Sequence, residues 1–102
     1  MSESSLLVSV RCADEVTSAV LGGAKIIDVK EPLHGSLGMA SLETLAACSA
    51  AVPERLLWTC AGGELLDRNG NCDSAARRMA VSLAGLKRLP YAVKFGLSQC
   101  CD

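Results

Sequence analysis

A chain of 102 residues has room for one small domain, and with half of it hydrophobic but only 3% aromatic, its interior must be filled by Ala, Leu and Val. The net charge is −1 with no basic cluster, which argues against a nucleic-acid surface. No apolar run is long enough to span a bilayer, and Met1 to Ser5 lack the basic start of a secretory signal, so a cytoplasmic protein with no membrane contact is expected.

Leu6 to Val10 reads as a first strand, with Leu6, Val8 and Val10 on one face and Leu7, Ser9 and Arg11 on the other. Residues 13 to 21 have helical spacing. Val16, Ala19 and Val20 form the stripe, and Asp14 and Glu15 sit in the favourable first turn. Gly22-Gly23 ends this helix. A second strand enters at about Lys25 and runs through Ile26-Ile27-Asp28-Val29-Lys30, closed by Pro32 and by Gly35-Ser36-Leu37-Gly38. Ile27 and Val29 face one way, Asp28 and Lys30 the other. An acid and an amine on one face of a buried strand are costly unless paired or used.

Ser41 has the chemistry of an N-cap. Leu42, Leu45, Ala46 and Ser49 give the next helix an apolar face, and Pro53 marks its end. Leu56 to Ala61 reads as a third strand, with Trp58 toward the helices, and Gly62-Gly63-Glu64 as the loop after it. Asn69-Gly70-Asn71 is turn-like, and Asp73 or Ser74 can cap a third helix. Its stripe is Ala76, Met79, Ala80, Leu83 and Leu86. Pro90 separates it from a fourth strand, Tyr91 to Leu97, with Tyr91, Val93 and Phe95 toward the helices and Ala92, Lys94 and Gly96 opposite.

The order β-α-β-α-β-α-β implies parallel strands with right-handed crossovers, hence an α/β sheet in a single domain over residues 1–102. Six cysteines occur without a C-x-x-C pair and with one histidine, His34, so neither a metal site nor a disulfide framework is expected. The thiols read as small buried hydrophobes, with Cys100 and Cys101 exposed near the end.

Alternation puts Ser9, Asp28, Lys30, Thr59 and Lys94 on one side of the sheet, near the carboxyl ends of the strands, where α/β folds bind ligands. Two readings stay open. Strand-end lysines can extend independently into water. Alternatively, they converge. A lysine that attacks a carbonyl must be neutral, and a second cation nearby or burial favours the neutral amine. Lys94 would serve Lys30 in that way, while Asp28 would position the amine or move protons. The imine so formed is an electron sink suited to aldol-type bond formation. The backbone from Gly35 through Ser36 to Gly38 either offers N–H groups to a phosphate or serves only the turn. Glu64 either faces this site or is a solvated loop acid. His34 reads as a loop residue.

Leu6-Leu7-Val8-Ser9-Val10, Gly22-Gly23-Ala24-Lys25-Ile26-Ile27-Asp28-Val29-Lys30-Glu31-Pro32, Gly35-Ser36-Leu37-Gly38, Gly63-Glu64-Leu65 and Val93-Lys94-Phe95-Gly96-Leu97 follow one another in this order. With these motifs the chain resembles the (5-formylfuran-3-yl)methyl phosphate synthases, which act in methanofuran biosynthesis. The resemblance implies a TIM-type (β/α)8 barrel, of which this chain would supply the first four strands as a half-barrel. It implies a lyase that condenses two molecules of glyceraldehyde 3-phosphate to a furan-aldehyde phosphate, without a metal or organic cofactor. It assigns the Schiff base to Lys30 and further active-site roles to Asp28 and Lys94. From the placement of the residues alone, Ser9, Gly35, Ser36 and Glu64 are the candidates for binding substrate. Family members are about twice this long, since eight βα units take roughly 200 residues or more. The lysine and aspartate that the family carries in its second half have no position here. A half-barrel would leave one sheet face and two edges bare, favouring a homodimer. The alternative is therefore a non-catalytic half-barrel that self-associates or binds a phosphate or aldehyde.

Overall fold

The computed structural model describes residues 6–34, 37–64 and 73–96. Among these residues, four strands alternate with three helices. In chain order they are β1 (Leu7–Val10), α1 (Ala13–Leu21), β2 (Ile26–Val29), a 3₁₀ turn (Pro32–His34), α2 (Leu42–Ala51), β3 (Leu57–Glu64), α3 (Asp73–Ala84) and β4 (Ala92–Gly96). All adjacent strands pair in parallel, in the spatial order β1-β2-β3-β4. This is the α/β architecture expected from the alternation of elements. Strands laid down in sequential order are also how a (β/α)8 barrel begins.

The core lies between the sheet and the helices. Val10, Ile27, Val29, Trp58 and Cys60 come from the sheet; Val16, Leu45, Cys48 and Met79 meet them from the helices. Val93 and Phe95 pack on the same cluster. Strict alternation therefore assigns the other face to Leu7, Ser9, Asp28, Thr59, Ala61, Ala92 and Lys94.

Local chemistry sets the ends of the elements. Cys12 stands at the N-cap of α1 without a side-chain cap. Glu15 compensates: its Oε1 accepts the Arg11 backbone N–H at 2.6 Å, and its Oε2 pairs with the Arg11 guanidinium at 3.2 Å. These bonds hold the Glu15 carboxyl below its ordinary range, the backbone bond contributing most. Ser41 caps α2 as expected, its Oγ accepting the Thr44 N–H at 3.2 Å. The loop after β2 folds tightly. Glu31 N–H donates to Gly38 O at 2.8 Å, and a β-carbon on Gly38 would overlap Glu31 O and lie 2.7 Å from the His34 β-carbon. That crowding, rather than an unusual φ, requires glycine there.

Several expectations need correction. Gly62-Gly63-Glu64 is not a loop but the last part of β3, where the register slips between Ala61 and Glu64. Tyr91 precedes β4 and is 74% exposed, so it does not pack on the helices with Val93 and Phe95. Leu6 likewise precedes β1 and is exposed. The buried face of α2 is Leu45, Cys48 and Ser49, which leaves Leu42 and Ala46 outside. That set follows i, i+3, i+4 from Leu45, with Cys48 as the small apolar member. On α3, Met79 and Ser82 are buried and Leu83 partly so, while Ala76 and Ala80 are exposed. Cys12 is exposed, unlike Cys48 and Cys60. The Asn69-Gly70-Asn71 turn, Leu97 and the cysteines at 72, 100 and 101 lie outside the described residues.

Candidate active site

The open face of the sheet carries the polar residues. Ser9, Asp28 and Thr59 are neighbours across β1, β2 and β3, and Thr59 pairs with Ala92 of β4. Asp28 is 2% exposed, among the most buried residues of the chain. Its burial is compensated twice. Thr59 Oγ1 donates to Asp28 Oδ1 at 2.7 Å, and Lys94 Nζ lies 3.0 Å from the same oxygen. Lys94 reaches this carboxylate from one rung further along, where it pairs with Ala61. Its side chain is 40% exposed, so the pair is desolvated at the acid and solvated at the amine.

Lys30 follows β2 directly. Its N–H donates to Val10 O at 3.1 Å, extending the β1–β2 ladder by one residue. The register that pairs Val29 with Cys60 would then set Lys30 beside Ala61. Lys30 and Lys94 thus flank Ala61 from either side, roughly 10 Å apart at the backbone by ordinary strand spacing. Ala61 is fully buried and small, so nothing large rises from the sheet between the two amines. Among the described residues no hydrogen bond or ion pair holds the Lys30 amine. The arrangement joins a fixed acid–amine pair to a second amine on one face, a set able to engage a carbonyl compound and move a proton beside it.

The remaining expected residues are placed unevenly. Ser9 is exposed and sits beside Asp28 in register without a bond between their side chains. Glu64 is exposed at the end of β3, paired in register with Gly96. Gly35 and Ser36 lie outside the described residues. His34 is exposed, with Nδ1 3.2 Å from Met39 O, which suits a loop role. Thr59 was expected only as a member of the polar face; its bond to Asp28 follows from the register, which strand pairing alone could have suggested. An open groove of about 850 Å³ lies between α2 and α3, lined by His34, Leu42, Glu64, Arg77, Arg78 and Val81 among others; Glu64 is thus part of it, while Asp28, Lys30 and Lys94 are not. No helix among the described residues is long and apolar enough to cross a membrane.

The sequence profile of the 4-HFC-P synthase family matches residues 6–102. The chain is 38% identical over 90 residues to the (5-formylfuran-3-yl)methyl phosphate synthase of Methanocaldococcus jannaschii, covering 87% of this chain and 38% of that protein. It is 36% identical over 77 residues to the synthase of Methanococcus aeolicus, covering 76% of this chain and 33% of the relative. The corresponding synthase of Methanococcus maripaludis is 39% identical over 77 residues, again 76% of this chain and 33% of the relative. The chain thus spans little more than a third of the length of the curated relatives it matches. Within that span it belongs to the 4-HFC-P synthase family.

Proposed function

We propose that this chain carries the Schiff-base half of a (5-formylfuran-3-yl)methyl phosphate synthase site, acting in the cytoplasm on glyceraldehyde 3-phosphate. The Lys30 amine attacks the aldehyde carbon of one triose phosphate, and water leaves as the imine forms. The iminium withdraws electrons, so the proton on the adjacent carbon becomes acidic. Asp28 and Lys94, joined at 3.0 Å, serve as the acid–base pair that moves this proton. The resulting enamine adds to the aldehyde of a second triose phosphate, phosphate and water are lost as the ring closes, and the C–N bond to Lys30 breaks, which frees the product and returns the amine.

The observation that supports this reading most is the Lys94 amine held against the buried Asp28 carboxylate on the face that alternation gives to Lys30. A surface lysine reaching for water would not turn back toward a carboxylate that is 2% exposed.

A second reading rests on a different observation. Leu7 and Leu57 flank the polar set on the same open face and are 44% and 45% exposed. In this reading the face is an assembly surface, covered by a second copy or by the remaining strands of a barrel.

One experiment separates the two. The folded chain is incubated with glyceraldehyde 3-phosphate and borohydride, and peptides are mapped by mass spectrometry. The enzyme reading expects a reduced adduct on Lys30 that is lost in Lys30→Met. A folded chain that forms no adduct, while sedimenting as a dimer, would leave only the assembly surface standing.

A further inference from the structure

The two oxygens of the Asp28 carboxylate are not equivalent. Thr59 Oγ1 donates to Oδ1 at 2.7 Å, and Lys94 Nζ lies 3.0 Å from that same oxygen. Among the described residues, Oδ2 has neither a hydrogen bond nor an ion pair. It is not sealed in the fold either: among those residues, the buried side-chain polar atom left without a partner is Trp58 Nε1. An ionised carboxylate has two acceptor sites on each oxygen. Those of Oδ1 are filled, and those of Oδ2 are open.

Thr59 decides which oxygen is filled. Lys94 is no rigid clamp, since its amine rides on a flexible four-carbon stem and its side chain is 40% exposed. It could follow either oxygen. The carboxylate itself turns easily about its terminal torsion, whose wells are broad. Thr59 is different. It is buried within β3, the register sets it beside Asp28, and its branched β-carbon restricts χ1. Its one hydroxyl proton is spent on Oδ1, so it has none to offer a substrate. Ser9, the register partner on the other side, is exposed and makes no bond to Asp28.

We infer that Thr59 is a positioning residue for the proton-transfer step: by holding Oδ1 it presents Oδ2 to the carbon beside the Lys30 imine, and Oδ2 takes the proton. This rests on the Schiff-base reading of Lys30, which lies two residues beyond Asp28 on the same face, roughly 6–7 Å along the strand. The C–H bond breaks and its electron pair becomes the enamine C=C bond. The C=N pair settles on nitrogen, which neutralises the iminium. The proton ends on Oδ2, and both bonds to Oδ1 stay in place throughout.

One measurement follows both steps. The folded chain is incubated with glyceraldehyde 3-phosphate in D2O, borohydride is added, and the Lys30 peptide is weighed by mass spectrometry after return to H2O. Adduct yield reports imine formation, and carbon-bound deuterium in the adduct reports proton removal. The wild-type adduct is expected to carry deuterium. Thr59→Val keeps the shape of the side chain and removes the hydroxyl. It should trap adduct in near wild-type yield but gain deuterium roughly 10- to 100-fold more slowly, the scale of a misplaced general base. Thr59→Ser keeps the hydroxyl on a freer side chain and should fall between the two. Deuterium gained at the wild-type rate in Thr59→Val, or no recovery in Thr59→Ser, overturns the role of Thr59 and leaves Lys30 chemistry standing. A wild-type adduct without deuterium does the same. Adduct and deuterium falling together in Thr59→Val would make Thr59 a structural residue only, against the proposal. A folded wild-type chain that traps no adduct overturns both readings. Should Thr59→Val fail to fold, Thr59→Ser decides alone: a slowed gain supports the fixed hydroxyl, and a wild-type rate overturns it.

Discussion

At the scale of single residues, the Asp28 carboxylate is the most demanding group in the molecule. Leaving it buried without a partner would cost several kcal/mol, and the Thr59 hydroxyl alone offsets only part of this. Lys94 supplies the rest at 3.0 Å, although its own amine stays partly in water. Removing the amine and removing the pair should therefore differ in effect. Lys94→Met is expected to destabilise the chain by about 2–4 kcal/mol, discounted from the cost of breaking a fully buried pair. Asp28→Asn combined with Lys94→Met should be less destabilised than Lys94→Met alone, because no charge is then left stranded. Urea denaturation of both variants measures the difference. Equal losses would mean that Lys94 contributes through its aliphatic stem and not its charge. The same pair fixes one end of the amine cluster, so the residue most important to burial is also the one proposed to move the proton.

Among the secondary-structure elements, the chain shows which parts of a fold a sequence declares and which it hides. Alternation in Ile27-Asp28-Val29 and Val93-Lys94-Phe95 declared the two faces of the sheet, because a residue type incompatible with the core sits between two that need it. Ser41 declared the start of α2 by cap chemistry, and Gly22-Gly23 the end of α1. The bulge in β3 was hidden. Two glycines in a row read as a loop, and only pairing with β4 makes them a strand with one residue too many. Arg88 was hidden as well. It follows α3 and reaches back across the molecule, its guanidinium donating to Val52 O at 2.5 Å, Pro53 O at 3.2 Å and Leu56 O at 2.5 Å. These carbonyls belong to the end of α2 and the turn into β3, where a helix leaves acceptors without partners. No local pattern announces a bond that spans more than thirty residues. Its planar fork suits several carbonyls at once, and a lysine has no such fork. Arg88→Lys is therefore expected to recover little of the stability lost in Arg88→Ala, about 2–3 kcal/mol for lost charge-assisted bonds. Hydrogen exchange should show the loss concentrated at the α2–β3 turn. Uniform faster exchange would argue that Arg88 acts on the whole fold rather than on that turn.

For the molecule as a whole, the layer between sheet and helices makes stability depend on pH through two thiols. Cys48 of α2 and Cys60 of β3 are both fully buried in the shared core. Burial pushes each thiol up to about 11, from an ordinary value of 9.0. For Cys60 the Asp28 charge adds to the rise and Lys94 opposes it, which links the core to the open face across the sheet. A thiol that stays protonated in the fold but ionises in the unfolded chain stabilises the fold fully below about pH 9. Between about 9 and 11 the unfolded chain binds fewer protons, so stability falls as pH rises and the advantage is gone above the folded value. Over both thiols the rise from 9.0 to about 11 corresponds to a loss on the order of a few kcal/mol across that window. Urea midpoints taken between pH 8 and 11 test this against Cys48→Ala combined with Cys60→Ala. The variant starts less stable, since it opens cavities in the core, but its curve should be flatter over the window. Every other titratable group is present in both chains and cancels in the comparison. Parallel curves would mean that the thiols ionise inside the fold as readily as outside it. A core able to admit that charge would also be too wet to keep the Asp28 carboxylate desolvated, so this measurement on the helix side bears on the chemistry of the other face.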